Sequence, residues 1–304
     1  MRGTRRSWVI TVAAIVIAIV IATVVWCAWA RPPGLGRHAI YLTDVATGAT
    51  MVWRSAPDRD LWAPDWSPDW TMIAWHETET DDAPADLMVA NRDGSGARRI
   101  AAGSHASWSP DGRSVAFEAQ IEQAHNFDIY IIDLASGATR RLTRNPAFDW
   151  APSWSPDGRM IGFTSQRTGT DQLYAIDREG TTPERAVAAG SGSSVRLAWS
   201  PDGSRIAFGS DRAGDAEIYV AQPHGAQVVA LTDNTAADWD PAWSPDGLRI
   251  LFLSYRDGPA DLYTIDADGT HQTRLTHDAA MEDTGGFEWS PDGASIVHAA
   301  ATRG

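Results

Sequence analysis

One tetrapeptide constrains this chain more than any other feature. Trp-Ser-Pro-Asp occurs six times, beginning at Trp66, Trp108, Trp154, Trp199, Trp243 and Trp289. The intervals of 42, 46, 45, 44 and 46 residues match one four-stranded propeller blade. Each copy opens a common grammar. Ser-Pro-Asp-Gly suits a type I turn, with Pro presetting φ at the second position and Gly closing it. A short apolar strand follows, as in Val115-Ala116-Phe117, Ile161-Gly162-Phe163, Ile206-Ala207-Phe208 and Ile250-Leu251-Phe252. After a polar loop comes a strand carrying Ile129-Tyr130, Leu173-Tyr174, Ile218-Tyr219 or Leu262-Tyr263, and then a strand ending in Leu-Thr. The strands are apolar on both faces at their centres, which suits blades stacked around an axis rather than a sheet with one wet side.

The ends of the repeat array complete each other. The last copy carries two strands, around Trp289 and around Ser295–His298, while the pair that would finish it stands at the start, Ala39–Asp44 and Ala49–Trp53. The reading is therefore an all-β, six-bladed propeller over residues 38–304, closed by a composite blade that leaves no open edge between first and last modules. Two positions break the pattern. Trp70 replaces Gly in the first turn, where positive φ costs a bulky residue about 1–2 kcal/mol, so that turn is expected to differ. His298 stands where other blades have Phe or Trp, and is expected to mark a capped final strand.

Ahead of the propeller, Trp8 to Ala30 is uncharged and apolar. At about 1.5 Å per helical residue this stretch can cross a hydrocarbon core of about 30 Å. Arg2, Arg5 and Arg6 precede it, which places residues 1–7 in the cytoplasm and sends the rest across. The expected product is a single-pass protein with its propeller outside the cytoplasm, periplasmic or extracellular. Cleavage after Ala28-Trp29-Ala30 would instead release it. Residues 31–37 read as a spacer that stops the helix. Cys27 is the only cysteine, so the globular part makes neither an internal disulfide nor a cysteine-based zinc site. Residues 1–37 hold five of the 25 basic residues and no acid, so the remainder carries 20 basic and 39 acidic groups, a net of −19. Such a body repels nucleic acid, and nucleic acid is not expected as a partner.

The Trp-Ser-Pro-Asp-Gly units, with Ile-Ala-Phe and Leu-Thr at fixed offsets, resemble the WD-like propeller repeats of the TolB family across residues 38–304. TolB proteins are periplasmic components of the Tol–Pal envelope system and bind a peptidoglycan-associated lipoprotein through the propeller. They carry an N-terminal α/β domain ahead of it, whereas here the propeller follows the spacer directly. Similar repeats form the gating propellers of prolyl-oligopeptidase-like peptidases. The resemblance implies a protein or peptide partner in the cell envelope; the propeller itself is expected to be monomeric.

Strand alternation sorts the connections onto two faces. The Pro-Asp-Gly turns are short and near-identical. The face opposite holds the longer, variable loops, where function concentrates. On it, Trp62, Asp149-Trp150 and Asp238-Trp239 precede innermost strands, with Phe287 as a fourth candidate, and could hold a peptide or a cationic group. The same residues equally suit packing between blades, with Asp149 and Asp238 paired to Arg167, Arg212 or Arg256. Non-repeating residues carry more information: His76, His105, Arg196 and Asp283. No G-x-S-x-G, H-E-x-x-H or phosphate-binding Gly-Lys loop is present, so no catalytic residue, metal or cofactor is assigned. Two further readings are an envelope-polymer lyase or hydrolase working at the channel mouth, and an accessory or sensor subunit of a membrane complex.

Overall fold

The computed structural model describes residues 35–80, 83–120, 126–188, 190–277 and 281–303. The apolar segment 8–30 lies outside them; no helix of the described residues is long and apolar enough to cross a membrane. The described residues open with β1 (Leu35–Asp44) and β2 (Thr50–Arg54). Blade one follows as β3 (Asp60–Trp66), β4 (Met72–Thr78), β5 (Asp86–Asn91) and β6 (Arg98–Ala102). Blade two is β7 (Ser104–Trp108), β8 (Ser114–Ala119), β9 (Asp128–Asp133) and β10 (Thr139–Arg141). Blade three is β11 (Asp149–Trp154), β12 (Met160–Ser165), β13 (Gln172–Asp177) and β14 (Arg185–Val187). Blade four is β15 (Ser194–Trp199), β16 (Ile206–Ser210), β17 (Glu217–Ala221) and β18 (Val229–Ala230). Blade five is β19 (Asp238–Trp243), β20 (Arg249–Ser254), β21 (Asp261–Asp266) and β22 (Thr273–Arg274), before β23 (Met281–Trp289) and β24 (Ser295–Arg303).

These strands form six antiparallel four-stranded sheets. The sixth has the order β2-β1-β24-β23, so both ends of the array share it. Ala39 pairs with Ala300, Tyr41 with His298 and Thr43 with Ile296. Innermost strands touch in sequence from β3 through β7, β11, β15 and β19 to β23, and β23 returns to β3. The ring is closed. Its core lies between neighbouring blades: Phe163 and Trp154 of blade three pack with Ile129, Ile131 and Leu142 of blade two.

The repeated residues explain why each blade folds alike. In all six turns the serine hydroxyl donates to the following aspartate at 2.6–2.7 Å. The same oxygen accepts the amide five residues on at 2.9 Å. Threonines of the Leu-Thr pairs serve the third strand: Thr143, Thr232 and Thr276 accept the amides of Ile129, Ile218 and Leu262 at 2.9–3.0 Å. The motif tryptophans lace neighbouring blades, but only alternately. Trp108, Trp199 and Trp289 donate their indole N–H to the carbonyls of Asp65, Ser153 and Ala242 in the preceding blade. The buried indole nitrogens of Trp66, Trp154 and Trp243 have no such acceptor.

Two expectations are corrected. The first turn does not differ: Trp70 adopts φ 58°, the same left-handed conformation as Gly112 at 68°. The conformational cost is offset by contacts, because the Arg92 guanidinium sits 3.7 Å from the Trp70 ring centre and Trp66 meets that ring edge-on at 5.8 Å. His298 does not cap the strand either. It is a buried mid-strand residue; Nε2 lies 2.9 Å from the Thr43 hydroxyl, its ring stacks on Tyr41, and β24 runs on to Arg303.

Candidate functional site at the channel mouth

Each innermost strand breaks its ladder at the same place. Three residues before the motif tryptophan, the chain enters the left-handed region: Ala63 (φ 44°), His105 (48°), Ala151 (49°), Arg196 (53°), Asp240 (56°) and Gly286 (91°). Pairing slips there in every blade, as between Trp62 and Asp65 or Val195 and Ala198. Such a bulge re-aims a side chain. Here it turns one residue per blade toward the axis, close to the variable face where the inner strands begin. Glycine is the cheap occupant of this conformation, and a side chain there costs on the order of 1 kcal/mol. At three of the six positions the chain nevertheless carries a histidine, an arginine and an aspartate.

Those three residues join across the ring. Arg196 Nη2 lies 3.1 Å from His105 Nε2, and Arg196 Nε lies 3.0 Å from Asp240 Oδ1. His105 belongs to blade two and Asp240 to blade five, which face each other across a six-fold ring, so the guanidinium bridging them lies on the axis. Arginine can only donate, so His105 Nε2 accepts and its Nδ1–H points to Glu118 Oε1, 2.8 Å away. Glu118 also receives the Ser104 hydroxyl at 3.0 Å and the Ala151 amide at 2.7 Å. Burial pushes the Glu118 carboxyl up, yet His105 and these donors outweigh it and bring its pKa to about 2. His76 stands behind His105 with ring centres 5.2 Å apart, and its Nδ1 is buried without a partner. Burial keeps His76 neutral, well below the usual histidine range, and the Arg196 charge adds to that.

The structure distributes the other candidates differently. Trp62 is buried, its ring 3.7 Å from that of His38. Asp149 pairs with Arg167 at 3.0 Å and Asp238 with Arg256 at 2.8 Å. Trp239 lies against the neighbouring blade so closely that a Cβ on Gly209 would fall 2.8 Å from its ring. Trp150 is half-buried, with the Arg196 guanidinium 5.9 Å from its ring centre. Phe287 lines the channel and packs on the core around Trp289. Asp283 sits in β23 opposite Ala300, and its side chain lies outside the described residues. His76, His105 and Arg196 thus come together, with Trp150 beside them. Glu118 and Asp240 complete the site, and sequence reasoning missed both. Glu118 had a signal: the residue after the second-strand aromatic is Thr164, Gly209, Leu253 and Ala299 in other blades, and is ionisable only at His76 and Glu118.

A family model described as the TolB beta propeller domain matches residues 39–194 and 181–304. The chain belongs to the TolB β-propeller family. A structure assigned as TolB from Agrobacterium tumefaciens superposes with a TM-score of 0.74 at 25% identity, covering 88% of this chain and 99% of that one. TolB from Acinetobacter baumannii gives 0.65 at 22% identity over 88% of this chain and 64% of that one, a likeness of fold. An uncharacterised protein of Agrobacterium fabrum is 32% identical over 85 residues, 28% of either chain. The match thus spans under a third of that curated relative.

Inside this TolB-like propeller the axis encloses a cavity of about 330 Å³. One step before each motif tryptophan its wall carries Asp65, Ser107, Ser153, Ala198, Ala242 and Glu288. Asp65 and Glu288 come from adjacent blades and line the lumen, half-buried in its wall. Burial raises both carboxyls well above the ordinary carboxylate range, and the Asp65 charge raises Glu288 further. The folded protein therefore keeps protons here that the unfolded chain releases, and stability falls as pH rises from about 4 through neutrality. Replacing Glu288→Gln should raise the melting temperature at pH 8 and leave it unchanged at pH 4. A constant difference across that range would remove the carboxyl pair as the cause.

Proposed function

We propose that this protein is a membrane-anchored, extracytoplasmic propeller that binds a protein or peptide partner of the cell envelope at the channel mouth. One observation carries the reading: strained, non-repeating His105, Arg196 and Asp240 converge on the axis at the variable face, while the opposite face repeats one turn six times. Polar residues held where glycine costs least are a mark of binding sites. The body's net charge of −19 and the family's association with protein partners support a protein ligand over nucleic acid.

Trp62 and Trp239 are poor probes, because truncating either opens a packing defect. Arg196→Ala is cleaner. Full-length protein extracted in detergent should capture its partner from envelope membranes, and Leu248→Ala, on the opposite face and 66% exposed, should capture it equally. Arg196→Ala should lower recovery at least tenfold, about 1.4 kcal/mol of binding. Equal recovery by all three proteins would reject this mouth as the binding site.

A further inference from the structure

The described ends of the chain leave the ring at one face, and that face carries the channel mouth. Leu35 at the start of β1 pairs with Arg303 at the end of β24. Their edge is the one at which every innermost strand begins. Here the chain is clamped to blade one. Arg37 Nη1 donates to Asp60 Oδ2 at 2.6 Å and to the Glu79 carbonyl at 2.9 Å. The His38 amide donates to Asp60 Oδ1 at 2.7 Å, and its ring lies on Trp62. The last residues of the spacer are therefore fixed to the rim of the variable face.

The reach of what precedes them is bounded by covalent geometry. Six residues lie between Ala30 and Arg37, seven steps along the chain, so the clamp lies at most about 25 Å from the end of the apolar segment. A blade whose inner strands are mostly five to seven residues long, with turns at both ends, stands roughly 30 Å tall. Turning the other face to the bilayer would lift the clamp by that full height, beyond the reach of the spacer. The gap left under the variable face is also shallow. A 100-residue domain, with a radius of gyration of about 13 Å, is over 30 Å across and does not fit into it.

We propose that the propeller stands with its channel mouth toward the bilayer, so that His105, Arg196 and Asp240 meet the juxtamembrane segment of a second membrane protein. This rests on the reading of residues 8–30 as membrane-crossing, and the test separates the two. Full-length protein carrying Cys27→Ser is reconstituted in vesicles containing headgroup-quencher lipid. Single cysteines are labelled with a fluorophore at Thr168→Cys or Ala213→Cys on the mouth face and at Leu248→Cys on the turn face. Mouth-face labels should be quenched several-fold more than the Leu248 position. Equal or reversed quenching, in protein that keeps residues 8–30 and resists carbonate extraction, overturns the orientation alone. Protein that has lost those residues, or that carbonate releases, overturns the anchor and the orientation with it.

Discussion

A chain ending at Trp289 should lose the cooperative thermal transition of the intact propeller and become sensitive to protease at both freed edges. β24 is an interior strand, bonded to β1 on one side and β23 on the other. Its removal strips the β1–β2 hairpin of its only sheet partner and exposes two ladders. It also removes Ile296 and Val297, both fully buried, and the buried Ala299, Ala300 and Ala301. Burying each large side chain is worth about 1.5–3 kcal/mol, and each lost backbone hydrogen bond about 1 kcal/mol net. Together these rival the whole stability of an ordinary domain, about 5–15 kcal/mol. Circular dichroism melts and limited proteolysis would check this. A truncated chain melting cooperatively within a few degrees of the parent would show that the termini do not latch the ring.

Glu118→Ala should be the most damaging single change at the mouth, costing about 2–4 kcal/mol. The carboxylate is buried and accepts from His105, Ser104 and Ala151; deleting it leaves an amide and a ring N–H without their acceptor. For a domain of this size that is a fall in melting temperature of roughly 5–10 °C. The pH dependence identifies the cause. Its folded pKa of about 2 lies below the ordinary 4.5. Stabilisation is therefore complete above about pH 4.5 and disappears as the pH falls toward 2, at most roughly 3 kcal/mol. The variant should lose that acid limb: its deficit is full at pH 6 and shrinks toward pH 2. A deficit independent of pH would assign the effect to packing.

The blade count and the closing blade were legible because they depend on turn chemistry, and turn chemistry is local. Ser109, Pro110, Asp111 and Gly112 make the same hydrogen bonds in any blade. The mouth was only half legible. His76, His105 and Arg196 stood out because they depart from the repeat, but the link from His105 to Asp240 could not be read. It depends on a one-residue slip in strand pairing, and Ala63 or Ala151 at that place gives no hint of left-handed backbone. Trp70 shows the converse. Its intrinsic cost argued for a different turn, and contacts with Arg92 and Trp66, distant or unremarkable in sequence, decided otherwise. Local preference is a weak guide wherever a tertiary contact of comparable energy competes with it.

The alternating indole bonds give the ring a hidden three-fold character. Trp108 ties blade two to blade one, Trp199 ties four to three, and Trp289 ties six to five, so the indole bonds alone group the blades as three doublets. The seams between doublets lack this tie, and one of them, between blades six and one, adjoins the clamp at Arg37 and Asp60. Other bonds cross those seams: the Ala151 amide to Glu118 between blades two and three, the Arg205 guanidinium to the Ala267 carbonyl between four and five, and Arg37 to Asp60 between six and one, so a pull from the spacer loads a seam that its own clamp holds.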